Sequence, residues 1–136
     1  MRTVLVIDDN KSVRDSMRML LQQRGYIGLA AASGAEGLAL AEAHVVDGAL
    51  IDVHMPGING IDVCRTLRDR AAAANRDIAL WVMTGARTAQ IAKSAAEAGS
   101  IELLGKPFDI ADLFRRFEAR WGPPPQPESS PLDILR

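Results

Sequence analysis

Three aspartates, a threonine and a lysine stand out in this 136-residue sequence because each lies at or just after the end of a short apolar run. They are Asp8, Asp9, Asp52, Thr84 and Lys106. Three neighbouring carboxylates repel one another unless a cation neutralises their charge. A lysine supplies one positive charge, whereas Mg²⁺, which binds carboxylate, water and phosphate oxygens, fits such a set better. The pattern predicts a Mg²⁺-assisted phosphoryl site, in which one carboxylate is the nucleophile and Thr84 and Lys106 contact the phosphoryl oxygens.

Short apolar runs alternate along the chain with helical patterns. The runs lie at 3–7, 27–31, 48–51, 78–83 and 101–104, and they are nearly continuous, as in strands buried on both faces. Helical spacing of apolar residues predicts helices over 13–21, 61–71 and 110–121, with alanine-rich helices at 35–43 and 89–98. Asp109 is the expected N-cap of the last helix. Strands joined by helices pair in parallel, so the fold class is α/β: a five-stranded parallel sheet with helices on both faces.

The carboxyl ends of parallel strands share one edge of a sheet, where ligands bind in open α/β folds. Each candidate residue has a simpler explanation when taken alone. Asp8 or Asp9 could cap the first helix, and Asp52 could belong to a turn. Thr84 could be a loop hydroxyl, and Lys106 could be a solvated side chain. Their joint placement at the ends of four of the five predicted strands is what favours a site.

Composition and charge limit the class of protein. Sixteen Lys and Arg against 17 Asp and Glu give a net charge of −1, which argues against a nucleic-acid-binding protein. The single cysteine, Cys64, cannot form an intramolecular disulfide, and its place on an apolar helical stripe predicts core packing. No apolar run approaches the roughly 20 residues of a membrane span. We expect a cytoplasmic protein with one folded domain at 1–122 and a flexible proline-rich tail at 123–136.

Four short motifs resemble those of the receiver domains of two-component response regulators. They are Val-Leu-Val-Ile-Asp-Asp-Asn at 4–10, Ile-Asp-Val-His-Met-Pro-Gly at 51–57 with Asn59-Gly60, Met-Thr-Gly at 83–85 and Gly-Lys-Pro-Phe at 105–108. The resemblance covers residues 2–121 and implies the flavodoxin-like (βα)5 receiver fold. It also implies that a sensor histidine kinase or a histidine phosphotransfer protein transfers a phosphoryl group to the chain.

The resemblance implies a role for each acidic residue. Asp52 is the expected phosphoacceptor. Asp8 and Asp9 match the acidic pair that holds Mg²⁺ directly or through water, together with Asp52 and the backbone carbonyl of His54. Thr84 matches the hydroxyl residue that moves to contact the phosphoryl group.

By the same resemblance, Lys106 pairs with the phosphoryl group and the Lys106–Pro107 bond is expected to be cis. The family often has an aromatic residue three positions before this lysine, which swings inward on activation. The residue here is Leu103, so we expect altered or weak coupling to Thr84. His54 and Ala86 occupy positions whose side chains modulate phosphoryl lifetime. Ala86 cannot position an attacking water, and His54 could instead be an ordinary solvated loop residue.

The expected function is a stand-alone response regulator that is a monomer or weak dimer and not a conventional enzyme. Self-phosphorylation and autodephosphorylation would occur at Asp52 only. Only 15 residues follow Trp121, which leaves no room for a DNA-binding domain, so we expect output to an unknown downstream protein without nucleic-acid or membrane contact. The resemblance places the output surface at about 88–98, 101–104 and 110–121.

The sequence leaves other functions open. The chain could be a receiver-fold scaffold that works without phosphorylation, or the receiver fragment of a longer regulator. A small Mg²⁺-dependent phosphatase would usually carry Asp-x-Asp on its first strand and a cap, and this sequence has Asp8-Asp9-Asn10 there. A flavodoxin-like cofactor-binding protein would need an uncharged phosphate loop after the first strand, where this chain has two aspartates.

Overall fold

A computed structural model describes residues 1–124 of the chain, so 125–136 of the predicted tail lies outside the described residues. Five strands alternate with five helices. The strands are β1 (Thr3–Ile7), β2 (Ile27–Ala31), β3 (Gly48–Asp52), β4 (Ala79–Thr84) and β5 (Glu102–Gly105). The helices are α1 (Lys11–Gln23), α2 (Gly34–Ala43), α3 (Gly60–Ala73), α4 (Ala89–Glu97) and α5 (Ile110–Trp121). No helix in this part of the chain is long and apolar enough to cross a membrane.

The five strands form one parallel sheet in the order β2-β1-β3-β4-β5. The chain first winds outward from β1 to β2 and then returns past β1 to β3. The direction of winding therefore reverses between β1 and β3, and open α/β sheets bind ligands in the crevice at that point. Asp8 and Asp9 directly follow β1, and Asp52 ends β3, so the candidate residues lie at this crevice.

Helices cover both faces of the sheet, which confirms the predicted fold class. One buried cluster packs strand residues such as Ile7 and Ile51 against α3 and α4. A second cluster packs Val6 and Leu50 against α1 and α5 on the opposite face. Neighbouring residues of a strand point to opposite faces. Because both faces are buried, the strands read as continuous apolar runs and not as alternating patterns.

The element boundaries differ from the predicted ones by one or two residues. Asp52 and Thr84 are themselves the last residues of β3 and β4, and β5 begins at Glu102. The N-cap of α1 is Asn10, whose Oδ1 accepts the Val13 amide at 3.1 Å, so the alternative that Asp8 or Asp9 caps this helix is wrong. Asp109 caps α5 as predicted, accepting the Ala111 amide at 2.8 Å.

Candidate functional site

The structure brings Asp8, Asp9 and Asp52 together at the ends of β1 and β3. Each offers one carboxylate oxygen, and these three oxygens lie within 4.8 Å of one another. Asp8 and Asp52 are buried, with 1% and 7% of their surface exposed, while Asp9 is exposed. Carboxylates at this spacing repel one another, and the burial of Asp8 and Asp52 removes water that would screen the repulsion. Their oxygens are the ligands that Mg²⁺ prefers.

Lys106 extends into this pocket from the residue after β5. Its Nζ lies 2.6 Å from Asp8 Oδ2 and 3.3 Å from Asp52 Oδ2. Burial alone would lower the pKa of Lys106, but the hydrogen bond to Asp8 and the charges of Asp52 and Asp8 outweigh it and raise the pKa above its usual value. The lysine is therefore protonated at neutral pH. Among the described residues only Lys106 forms an ion pair with these carboxylates, so the pocket keeps an excess of negative charge for a divalent cation.

Backbone amides orient the two buried carboxylates. The Asn10 amide donates to Asp8 Oδ1 at 2.9 Å, and the His54 amide donates to Asp52 Oδ1 at 3.2 Å. Each carboxylate thus has one oxygen held by the backbone and the other facing Lys106. The guanidinium of Arg14 donates to the backbone oxygen of Asp8 at 2.9 Å and fixes the loop after β1. No residue spacing in the sequence pointed to Arg14.

Gly60 is a second residue that matters for the site and was noted only as part of a motif. A Cβ atom at Gly60 would overlap the backbone oxygen of Asp52 and would lie 2.7 Å from its carbonyl carbon. Only glycine lets the start of α3 approach the end of β3 so closely. Asn59 caps this helix by accepting the Ile61 amide at 2.7 Å. The Asn59-Gly60 pair therefore sets where Asp52 sits.

Thr84 is fully buried, and its hydroxyl is bonded to the loop that follows β4. Its Oγ1 accepts the Ala86 amide at 3.0 Å and donates to the Ala86 carbonyl oxygen at 3.3 Å. The Lys106 amide donates to the Thr84 carbonyl oxygen at 2.7 Å, so the two candidate residues are neighbours through their backbones. Ala86 contributes to the site through its peptide groups, which its apolar side chain did not reveal.

The side chains of His54 and Leu103 do not touch the carboxylates of the pocket. The His54 side chain is exposed, and its backbone amide is the part that touches Asp52. Leu103 is half-buried and packs against the cluster under α3 and α4. The Lys106–Pro107 bond is cis, as expected.

Comparison with protein families and curated proteins gives matches over most of the chain. The family model described as Response regulator receiver domain matches residues 4–118. Response regulator MprA of Mycobacterium sp. (strain KMS) is 33% identical over 135 residues, which cover 97% of this chain and 57% of the relative. The MprA protein of Mycobacterium ulcerans (strain Agy99) is 33% identical over 116 residues, 85% of this chain and 48% of the relative. The chain spans about half the length of the curated relatives that it matches.

Solved structures give the same fold. Chemotaxis protein CheY4 of Vibrio cholerae is 27% identical, with a TM-score of 0.80 over 88% of this chain and 98% of that chain. A CheY-like receiver domain protein of Methanospirillum hungatei JF-1 has a TM-score of 0.81 at 23% identity, covering 88% of this chain and 93% of that chain, and shows the fold alone.

Proposed function

The chain belongs to the response regulator receiver family, and on this premise we propose that it is a phosphorylation switch whose phosphoacceptor is Asp52. Receiver domains are signalling domains that work with histidine kinases and are not conventional enzymes. The observation that carries the proposal is the pocket in which Asp8, Asp9 and Asp52 meet Lys106. An acidic triad of this kind is typical of the Mg²⁺ sites of receiver domains.

The residues of the pocket fit Mg²⁺ because they supply hard oxygen ligands and an excess of negative charge. Asp8, Asp9 and Asp52 would hold the ion, with the backbone carbonyl of His54 as a further ligand. When bound, Mg²⁺ supplies positive charge that offsets the repulsion between the carboxylates and an incoming phosphoryl group. This assignment rests on the donor set and on the family resemblance.

In the proposed reaction Asp52 is the nucleophile. An Asp52 oxygen attacks the phosphorus of a phosphohistidine, so that a P–O bond forms while the P–N bond breaks. The imidazole of the donor leaves as a neutral ring that keeps the proton on its other nitrogen. The donor is a sensor histidine kinase or a histidine phosphotransfer protein. Protonated Lys106, already within 3.3 Å of Asp52 Oδ2, neutralises charge on the transferred group.

Thr84 converts the chemistry into a conformational change. Its single hydroxyl proton points to the Ala86 carbonyl oxygen, so it must leave that partner to donate to a phosphoryl oxygen. The loop after β4 then changes its population of conformations. The half-buried Leu103 has no ring to follow this change, while exposed His54 and apolar Ala86 flank the site and set how water reaches the aspartyl phosphate.

We assign residues 1–122 to the receiver domain, with output through the surface formed by 88–98, 101–104 and 110–121 to a downstream protein. A second candidate is that this receiver works as part of a longer regulator, which the greater length of the curated relatives favours. The alternative that the chain is a receiver-fold scaffold and is never phosphorylated is tested by the following experiment.

The test is intact mass after incubation with Mg²⁺ and acetyl phosphate. We expect one added phosphoryl group, lost in the Asp52→Asn variant and when a chelator removes Mg²⁺. If no adduct forms, titration with beryllofluoride and Mg²⁺ separates rapid hydrolysis from an incompetent site. A protein that forms no adduct and binds no beryllofluoride is not a phosphorylation switch.

A further inference from the structure

The Arg87 side chain lies across Gly105 on the surface of β5. A Cβ atom at Gly105 would come within 2.6 Å of Arg87 Cδ and 3.4 Å of both Cγ and Nε. The aliphatic part of the arginine thus occupies the space that a side chain at position 105 would fill. Gly105 pairs with Thr84 in the sheet and directly precedes Lys106, so this contact lies beside the proposed phosphorylation site.

Arg87 is tied to Thr84 through one peptide group. The Thr84 hydroxyl holds both the amide and the carbonyl oxygen of Ala86, the residue before Arg87. Thr88, the residue after Arg87, caps α4 by accepting the Ile91 amide at 3.1 Å. Arg87 therefore stands between the hydroxyl that the phosphoryl group would attract and the first turn of α4.

The loop at 85–87 is exposed, whereas the Leu103 side chain packs against the hydrophobic core. Gly85, Ala86 and Arg87 are exposed, and a Cβ atom at Gly85 would meet nothing within 4 Å. Leu103 lies on the same face of β5 as Gly105, since residues two apart in a strand share a face. It packs inward against the cluster under α3 and α4. Arg87, by contrast, is exposed where it lies on Gly105.

We propose that Arg87 is the residue that reports phosphorylation on the surface of β5. Without a phosphoryl group, the Thr84–Ala86 hydrogen bonds hold Arg87 on Gly105. When the Thr84 hydroxyl turns to the phosphoryl group on Asp52, the peptide of Ala86 is released and Arg87 leaves Gly105. The positive charge of the guanidinium then lies at a different place beside α4. A partner protein with an acidic surface would recognise the charge in this new position. This inference rests on the proposed function.

Nuclear Overhauser spectroscopy on the isotopically labelled full chain tests the contact directly. The cross-peak between the Arg87 Hδ and Gly105 Hα protons is expected with Mg²⁺ alone. Saturating beryllofluoride should weaken it about tenfold, as for a two-state equilibrium whose populations are inverted. Binding is followed independently by the amide shifts of Asp52 and Asp9.

Three variants distinguish coupling between Thr84 and Arg87 from simple packing of Arg87 on Gly105. In Thr84→Val the cross-peak should no longer change on addition of beryllofluoride. In Gly105→Ala the new methyl group displaces Arg87, so the amide shifts of residues 86–88 should move toward the activated positions without beryllofluoride. Gly85→Ala is the matched control in the same loop, and it should retain the wild-type cross-peak because its methyl group meets open space.

The outcomes test whether Arg87 contacts Gly105 and whether this contact depends on the Thr84 hydroxyl. A cross-peak that is absent with Mg²⁺ alone, or that persists at full beryllofluoride occupancy, overturns the inference. So does a Thr84→Val variant that responds like the wild type, or a Gly105→Ala variant whose loop shifts do not move. Failure to bind beryllofluoride at all counts instead against the proposed function, and the inference fails with it.

Discussion

The ammonium nitrogen of Lys106 lies 2.6 Å from Oδ2 of Asp8, nearer than the 3.3 Å that separates it from Asp52. The lysine therefore bonds most closely to the carboxylate that is not the proposed phosphoacceptor. It joins the end of β1 to the residue after β5, 98 positions apart in the sequence. In the absence of a metal ion this contact is the main compensation for the charges of the pocket.

Replacing Lys106 by methionine should destabilise the protein when Mg²⁺ is absent. The variant keeps the aliphatic packing but leaves Asp8 and Asp52 without their cation, and we expect a loss of about 1–3 kcal/mol of unfolding free energy. Mg²⁺ should recover much of this loss because it neutralises the same carboxylates. Urea unfolding with and without Mg²⁺ measures both quantities.

The control for this variant is Lys11→Met. Lys11 pairs with Asp15 at 2.6 Å, but both side chains are largely exposed to water, which screens their attraction, so the urea midpoint should hardly change. An unchanged urea midpoint for Lys106→Met in chelator would contradict the predicted contribution of the pair.

Replacing Asp9 by asparagine should change stability and Mg²⁺ affinity in opposite directions. Asp9 adds a third charge beside Asp8 and Asp52, so its removal relieves repulsion and should raise the unfolding free energy by up to about 1 kcal/mol without metal. The same change removes a ligand and should weaken Mg²⁺ binding roughly tenfold or more, about 1.4 kcal/mol. Calorimetric titration and urea unfolding test the two halves, and a variant that loses both stability and affinity would show that Asp9 is structural.

Gly60→Ala should damage the site through the backbone. The methyl group overlaps the Asp52 carbonyl, so α3 or the end of β3 must shift, at a cost of about 1–3 kcal/mol. Phosphorylation by acetyl phosphate should fall in the same variant. Gly85→Ala is the comparison, because nothing lies within 4 Å of its new methyl group and a gain of roughly 0.4–1 kcal/mol is expected. Equal stabilities for the two variants would refute the close approach at Gly60.

Stability should fall at alkaline pH because of Cys64. Burial raises the pKa of this thiol from 9.0 to about 11. A pKa that is higher in the folded state gives stability that is complete below the unfolded value and is lost as pH rises toward the folded value. At pH 11 the loss should reach about 2 kcal/mol, because one unit of pKa difference corresponds to about 1.4 kcal/mol and the thiol of the folded protein is then itself half ionised.

The variant Cys64→Ala isolates this effect. Its unfolding free energy starts lower because a cavity forms, but it should stay flat until near pH 10. Above that value Lys106 and Tyr26, whose pKa values are also raised in the fold, begin to lose protons in the unfolded chain. Parallel pH profiles for the variant and the wild type between pH 9 and 10 would rule out the buried thiol as the cause.

The order of elements and the edge of the sheet where the site lies follow from the residue pattern alone. Apolar runs of strand length alternate with helical stripes, and strands joined by helices must run parallel. Parallel strands end at one edge, which places Asp8, Asp52 and Lys106 at the same edge of the sheet. The motifs around these residues also sufficed to predict the family, which the match over residues 4–118 confirms.

Which atoms meet at that edge depends on the packing of the whole chain. The choice of Asn10 over Asp8 as helix cap and the closer approach of Lys106 to Asp8 depend on the directions of individual side chains. The close approach of Gly60 to the backbone of Asp52, and the place of Arg87 on Gly105, depend on how closely two elements pack. Residue periodicity reports which face of an element is buried. It carries no information on rotamers or on the fit between distant segments, which form only when the whole chain has packed.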